Sequence, residues 1–143
     1  MKAARTAALL LILAPVAALA ADPTQPEAIA RANVMKEVGK NTKILGEMAQ
    51  GKTAFDAAAA EAAKAALIAA AAAAPAAFEV QGAEDPVSEA RPEIWTGWED
   101  FTAKATDLRV AAEGVDTASA DGLRTGMATL SGTCKACHSV YRE

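Results

Sequence analysis

Residues 119–143 read SADGLRTGMATLSGTCKACHSVYRE. Leu123, Met127, Leu130, Cys134, Cys137 and Tyr141 recur there at intervals of four and three, which is the rhythm of one face of an α-helix. The helix is expected to open near Thr117 or Ser119, both good capping residues, and to reach Tyr141. Immediately upstream, Ile94, Trp98, Phe101, Ala105, Leu108 and Ala112 repeat the same 4-3-4-3-4 pattern, with Pro92 to open the segment and Gly114 to close it. Two apolar stripes of this kind must be buried, and nothing in the chain alternates with period two to offer a sheet as partner.

Two earlier segments supply the remaining helices. Residues 26–50 begin at Pro26 and end before Gly51, with Val34, Val38, Leu45 and Met48 on one face if polar Asn41 completes the rhythm. Asp56 caps a second segment that continues to about Phe78, and sixteen of the twenty-one residues from 57 to 77 are alanine. Helix propensity is maximal there, but the apolar pattern does not say which face packs. Pro75 is expected to end or kink this helix. Residues 79–91 hold Gly82, Pro86 and several charges and read as the longest loop. The expected fold is all-α, an antiparallel up-down-up-down bundle of four helices.

Composition agrees. The chain has 143 residues, 52% hydrophobic but only 4% aromatic, with a net charge of −4. That length suits one domain, and the acidic balance argues against a nucleic-acid binder. Residues 1–20 read as an export signal. Lys2 and Arg5 form a positive start, an apolar run follows, and Ala18-Leu19-Ala20 offers a small–x–small cleavage site. The mature domain would then be residues 21–143, placed in the periplasm, with no further membrane span expected. Without Lys2 and Arg5, twelve basic residues face eighteen acidic ones, a net of −6.

Cys134-Lys135-Ala136-Cys137-His138 carries the chemistry. Cys-x-x-Cys-His is an attachment signature for c-type haem. On a helix, cysteines three residues apart share a face, so both sulfurs can form thioethers with one porphyrin, and the next residue can offer its imidazole to the iron. A haem would also fill a core otherwise built from small side chains. Three other readings stand beside this one. A thiol redox pair would want the motif at a helix N-terminus after a strand. A zinc site would need a fourth ligand, although His138 is the only histidine and no third cysteine exists. A structural pair of cysteines is the third. Under the haem reading only five residues follow His138, so a ligand on the opposite face must come from upstream. Met127 lies about three turns back on the same helix and cannot reach round, which leaves Met35 and Met48.

The sequence resembles the class II c-type cytochromes, typified by cytochrome c′. The C-terminal Cys-Lys-Ala-Cys-His-Ser-Val-Tyr-Arg, the run Arg91-Pro92-Glu93-Ile94-Trp95, the segment from Met48 through Gly51-Lys52 to Phe55-Asp56, and Arg31-x-x-Val34-Met35 all match the family pattern. The resemblance implies a four-helix bundle, often homodimeric, with one covalent haem c. It makes Cys134 and Cys137 the thioether anchors and His138 the proximal iron ligand. Arg31 falls where the family places an arginine near the haem propionates. Met35 falls where it places the residue facing the distal side of the iron, a ligand in low-spin members and a non-ligating side chain in open-site members. Glu89 aligns with a loop position that can approach the haem. One departure is Ala30, where many cytochromes c′ have an aromatic residue, and this favours the low-spin branch.

The leading functional expectation is a periplasmic one-electron carrier that meets basic redox partner proteins. The rival is an open-site module for nitric oxide or carbon monoxide. Enzymatic activity is not expected, because no nucleophile–base pair accompanies the motif and the single histidine is already committed.

Overall fold

A computed structural model describes residues 21–143. The expected signal segment, residues 1–20, lies outside the described residues. Five helices follow one another: α1 (Pro26–Ala49), α2 (Ala57–Phe78), α3 (Glu93–Thr96), α4 (Trp98–Glu113) and α5 (Ala120–Tyr141). Helix α1 packs on α2, α2 on α4, α4 on α5, and α5 returns to α1, while the single turn α3 leans on α4 and α5. This closed square is an antiparallel four-helix bundle. Among the described residues there is no β-strand, only one antiparallel bridge between Ala90 and Arg142.

The helix boundaries follow local chemistry. Pro26 occupies the first turn of α1, where its missing N–H has no cost. Gly51 ends that helix at φ 69°, a left-handed conformation that glycine adopts without strain. Arg124 Nε on α5 donates to the Ala49 carbonyl at 2.9 Å, so one free carbonyl at the end of α1 is satisfied by another helix. Asp56 caps α2 by accepting from the Ala59 N–H at 2.9 Å. Ser119 does the same for α5, accepting from the Gly122 N–H at 3.0 Å.

Helix α2 reaches Phe78 as expected, with Pro75 inside it. The proline lies only three residues before the end, and burial of Ala71, Ala74 and Phe78 holds the last turn in place despite the missing N–H. One expectation is corrected. The third helix is not continuous: Gly97 separates α3 from α4. A side chain there would sit 3.1 Å from the Glu93 carbonyl oxygen and 3.2 Å from the Tyr141 hydroxyl, so the break is where α5 presses closest. The apolar stripe survives it, with Ile94, Phe101, Ala105 and Ala112 all buried.

Packing resolves the ambiguity of the alanine helix. Ala60, Ala63, Leu67, Ala71, Ala74 and Phe78 form its buried face, so methyl groups let its neighbours approach closely. The main core joins Leu67 to Leu45, Val115, Leu123 and Leu130, all 1% exposed or less. Leu67 is the one large aliphatic side chain that α2 commits fully to this core. Leu67→Ala should therefore destabilise the fold by about 2–5 kcal/mol, read as a lower urea midpoint with an unchanged slope. A cost below about 0.5 kcal/mol, the range of surface substitutions, would show that this seam is not closely packed.

Candidate functional site

The last two turns of α5 carry the cysteine motif. Cys134 and Cys137 are free thiols, each half-buried, on the face that also buries Leu123, Leu130 and Tyr141. Burial pushes both thiols above the ordinary cysteine pKa. A thiol redox pair needs the opposite shift and a helix N-terminus, so the geometry disfavours that reading. Among the described residues no three His, Cys, Asp or Glu side chains gather into a metal-binding group, so the donor set of a zinc site is not assembled.

Cys137 joins a second apolar cluster made of Phe78, Ile94, Phe101 and Tyr141, with Trp95, Trp98 and Met35 packed against it. Five of the six aromatic residues in the chain meet here. Phe101 is at the centre, with ring centroids 5.1 Å from Phe78, 5.4 Å from Trp98 and 5.4 Å from Tyr141. Met35 arrives from α1 and touches both this cluster and the main core. Met48, the other upstream methionine, is buried in the main core instead.

Arg31 lies one turn before Met35 and is 5% exposed. Its guanidinium carbon is 5.4 Å from the Trp95 ring centroid and 5.9 Å from that of Phe78, a cation–π arrangement. Nη1 donates to the carbonyls of Val80 at 3.2 Å and Gln81 at 3.1 Å. Nε is buried without a hydrogen-bond partner. Burial lowers the pKa of this arginine, while Glu27 and Asp85 act the other way. A buried cation with a donor to spare is suited to an anionic group.

His138 is exposed. Partial desolvation, followed by the Arg142 guanidinium, lowers its pKa, and Glu89 opposes them. Glu89 is exposed as well. Its carboxylate accepts from Arg142 Nε at 2.6 Å. The Arg91 N–H donates to the Tyr141 carbonyl at 3.1 Å, and the Glu143 N–H donates to the Glu89 carbonyl at 3.0 Å. The loop thus clasps the chain just beyond His138.

Several residues of this end are missed by sequence reasoning. Asp85 is buried in the loop, where Oδ2 accepts from the N–H groups of Thr24 at 2.8 Å and Gln25 at 3.0 Å, anchoring the start of α1. The Asp85-Pro86 dipeptide, a common turn opening, was the available signal. Trp95 Nε1 donates to the Phe78 carbonyl at 2.8 Å and ties α3 to the end of α2. Tyr141 donates to Asp100 Oδ2 at 2.5 Å, a pairing between helices that no local pattern announces.

The donor set fits a flat, apolar, iron-bearing macrocycle with acidic substituents. Two thiols share one helical face beside a gathering of aromatic rings, a histidine follows them, a thioether from α1 packs on the same rings, and a buried arginine keeps one donor unpaired.

A family model described as Cytochrome C′ matches residues 27–142. Cytochrome c-556 of Agrobacterium tumefaciens (strain apple 185) is 36% identical over 116 residues, covering 79% of this chain and 91% of that protein. The fold is similar to an NMR-validated structural model of oxidised cytochrome c556 from R. palustris. The TM-score is 0.72 at 26% identity, covering 82% of this chain and 96% of the other. It is also similar to a nitric oxide complex of a mutant cytochrome c prime from Alcaligenes xylosoxidans. There the TM-score is 0.71 at 26% identity, over 82% of this chain and 93% of the other.

Tyr141 is the only tyrosine, so its titration can be read directly. The hydrogen bond to Asp100, together with burial, pushes its pKa up to about 12. The stabilisation is fully present below the ordinary tyrosine pKa of about 10 and is lost as pH rises through the folded value. Alkaline difference spectroscopy should find ionisation near about 12, falling toward about 10 in Asp100→Asn. Ionisation of the unmutated protein near 10 would refute the Tyr141–Asp100 bond.

Proposed function

This chain belongs to the cytochrome c′ family, whose members bind one covalent haem c, and from that premise we propose that it is an exported monohaem electron carrier. The observation that carries the proposal is the meeting of Met35 from α1 and Cys137 from α5 in one aromatic cluster, with Arg31 a turn away. Cys134 and Cys137 would hold the haem through thioethers, with His138 and Met35 as its iron ligands. The free Nε of Arg31 would take a propionate, and Glu89, paired with Arg142, would stand beside His138. When bound, the haem supplies one-electron chemistry at iron.

The protein residues supply position and exclusion. Phe78, Trp95 and Phe101 keep water from the apolar side of the site, and the buried guanidinium offsets negative charge in a low-dielectric setting. Residues 1–20 act as the export signal, residues 21–143 form the working domain in the periplasm, and the net charge of −6 suits basic redox partner proteins. The chain acts as a carrier, not an enzyme.

A second reading is an open distal site that takes nitric oxide or carbon monoxide. It is favoured by the likeness to a cytochrome c prime solved with nitric oxide. The residue at position 35 decides between them, because a thioether on the iron favours the ferrous state and leaves no vacant position for a gas.

Two measurements test these assignments. Holoprotein made in a host with c-type maturation should retain its haem through acid–acetone extraction, and the double substitution Cys134→Ser, Cys137→Ser should release it. Haem extracted from the unmutated protein would sink the covalent assignment. Absorption spectra of both oxidation states should show low-spin bands and a sulfur-to-iron charge-transfer band that vanish in Met35→Ala. High-spin spectra unchanged by that substitution, with ready carbon monoxide binding, would favour the open site.

A further inference from the structure

A polar chain joins the last turn of α5 to the first turns of α4, and the assignments above leave it unused. Tyr141 is 5% exposed and donates to Asp100 Oδ2 at 2.5 Å. Lys104 Nζ, one turn further along α4, donates to Asp100 Oδ1 at 2.9 Å. The tyrosine ring stands edge-on to Phe101 and belongs to the same cluster as Cys137, which lies one turn back on α5. The hydroxyl fits because Gly97 carries no side chain, and it lies 3.4 Å from the Gly97 carbonyl oxygen. The break between α3 and α4 therefore leaves room for the contact that fixes Asp100.

The result is a carboxylate and an ammonium of fixed geometry beside the haem-attachment turn. Tyr141, one turn beyond Cys137 and in the same cluster, holds the Asp100 carboxylate at this end of the bundle, and Lys104 pairs with that carboxylate.

We infer that Asp100 and Lys104 tune the reduction potential of the group anchored at Cys137, the carboxylate lowering it and the ammonium raising it. The inference rests on the attachment of haem at Cys134 and Cys137. Its physical basis is that the oxidised iron carries one more positive charge than the reduced iron. A fixed anion nearby stabilises the oxidised form and a fixed cation the reduced form. Tyr141 acts through Asp100, as a positioning residue that holds the carboxylate toward α5.

Spectroelectrochemical titration of the holoprotein at neutral pH tests this with Asp100→Asn and Lys104→Gln, each of which removes one charge and keeps the side chain's approximate size. The potential should rise in the first and fall in the second. Loss of a merely structural contact would lower the melting temperature of both variants without moving their potentials in opposite directions. If Asp100→Asn fails to fold, a downward shift in Lys104→Gln alone supports the inference and its absence overturns it. Unmoved potentials, or shifts of the same sign, in variants that keep haem through acid–acetone extraction would overturn this inference and leave the attachment intact. Haem extractable from the unmutated protein would overturn both.

Discussion

Cys134 and Cys137 project from the same face of α5 that buries Leu123, Leu130 and Tyr141. The helix therefore cannot turn either thiol to solvent without lifting its own core residues out of the bundle. That shared face sets most of what happens at this end of the molecule. It raises both thiol pKa values through burial, it directs Cys137 at the aromatic cluster, and it makes α1, packed against α5, the source of the opposing side chain. Met35 is the residue that α1 supplies, in contact with both apolar clusters.

Arg31 shows what this arrangement leaves unbalanced. A guanidinium removed from water needs compensation for the hydration it has lost. Two backbone carbonyls and two aromatic faces supply part of it, but Nε has no partner. A buried donor left unmade costs about 1–3 kcal/mol, a large share of the stability of a small domain. Under the proposed function an acidic group of the cofactor relieves that cost, so holding the ligand and stabilising the fold become the same interaction.

The loop of residues 79–92 is the other organising element. It contributes no helix, yet it touches the start of α1 through Asp85, Arg31 through the carbonyls of Val80 and Gln81, and the end of α5 through Glu89 and Arg91. Two helix ends and an interior side chain of α1 are tied by one segment, and several of its own backbone groups are satisfied in the process. This strap also explains how Glu89 comes to lie near His138 although 49 positions of sequence separate them.

The all-α class, the helix starts at Pro26, Asp56 and Ser119, the stop at Gly51 and the placing of Cys134, Cys137 and His138 on the last helix were legible in the sequence. Each depends on local propensity or on spacing along a single helix. The motif from Arg31 to Met35 was legible only as a resemblance, because nothing local tells which face of α1 will meet α5. The buried face of α2 was not legible at all, since sixteen alanines present the same methyl group in every direction, and only contact with α1 and α4 selected Ala60, Ala63, Leu67, Ala71, Ala74 and Phe78. The break at Gly97 and the Tyr141–Asp100–Lys104 chain were likewise decided in three dimensions. They turn on the balance between a local preference and the burial of side chains contributed by other helices, and that balance exists only once the bundle has closed.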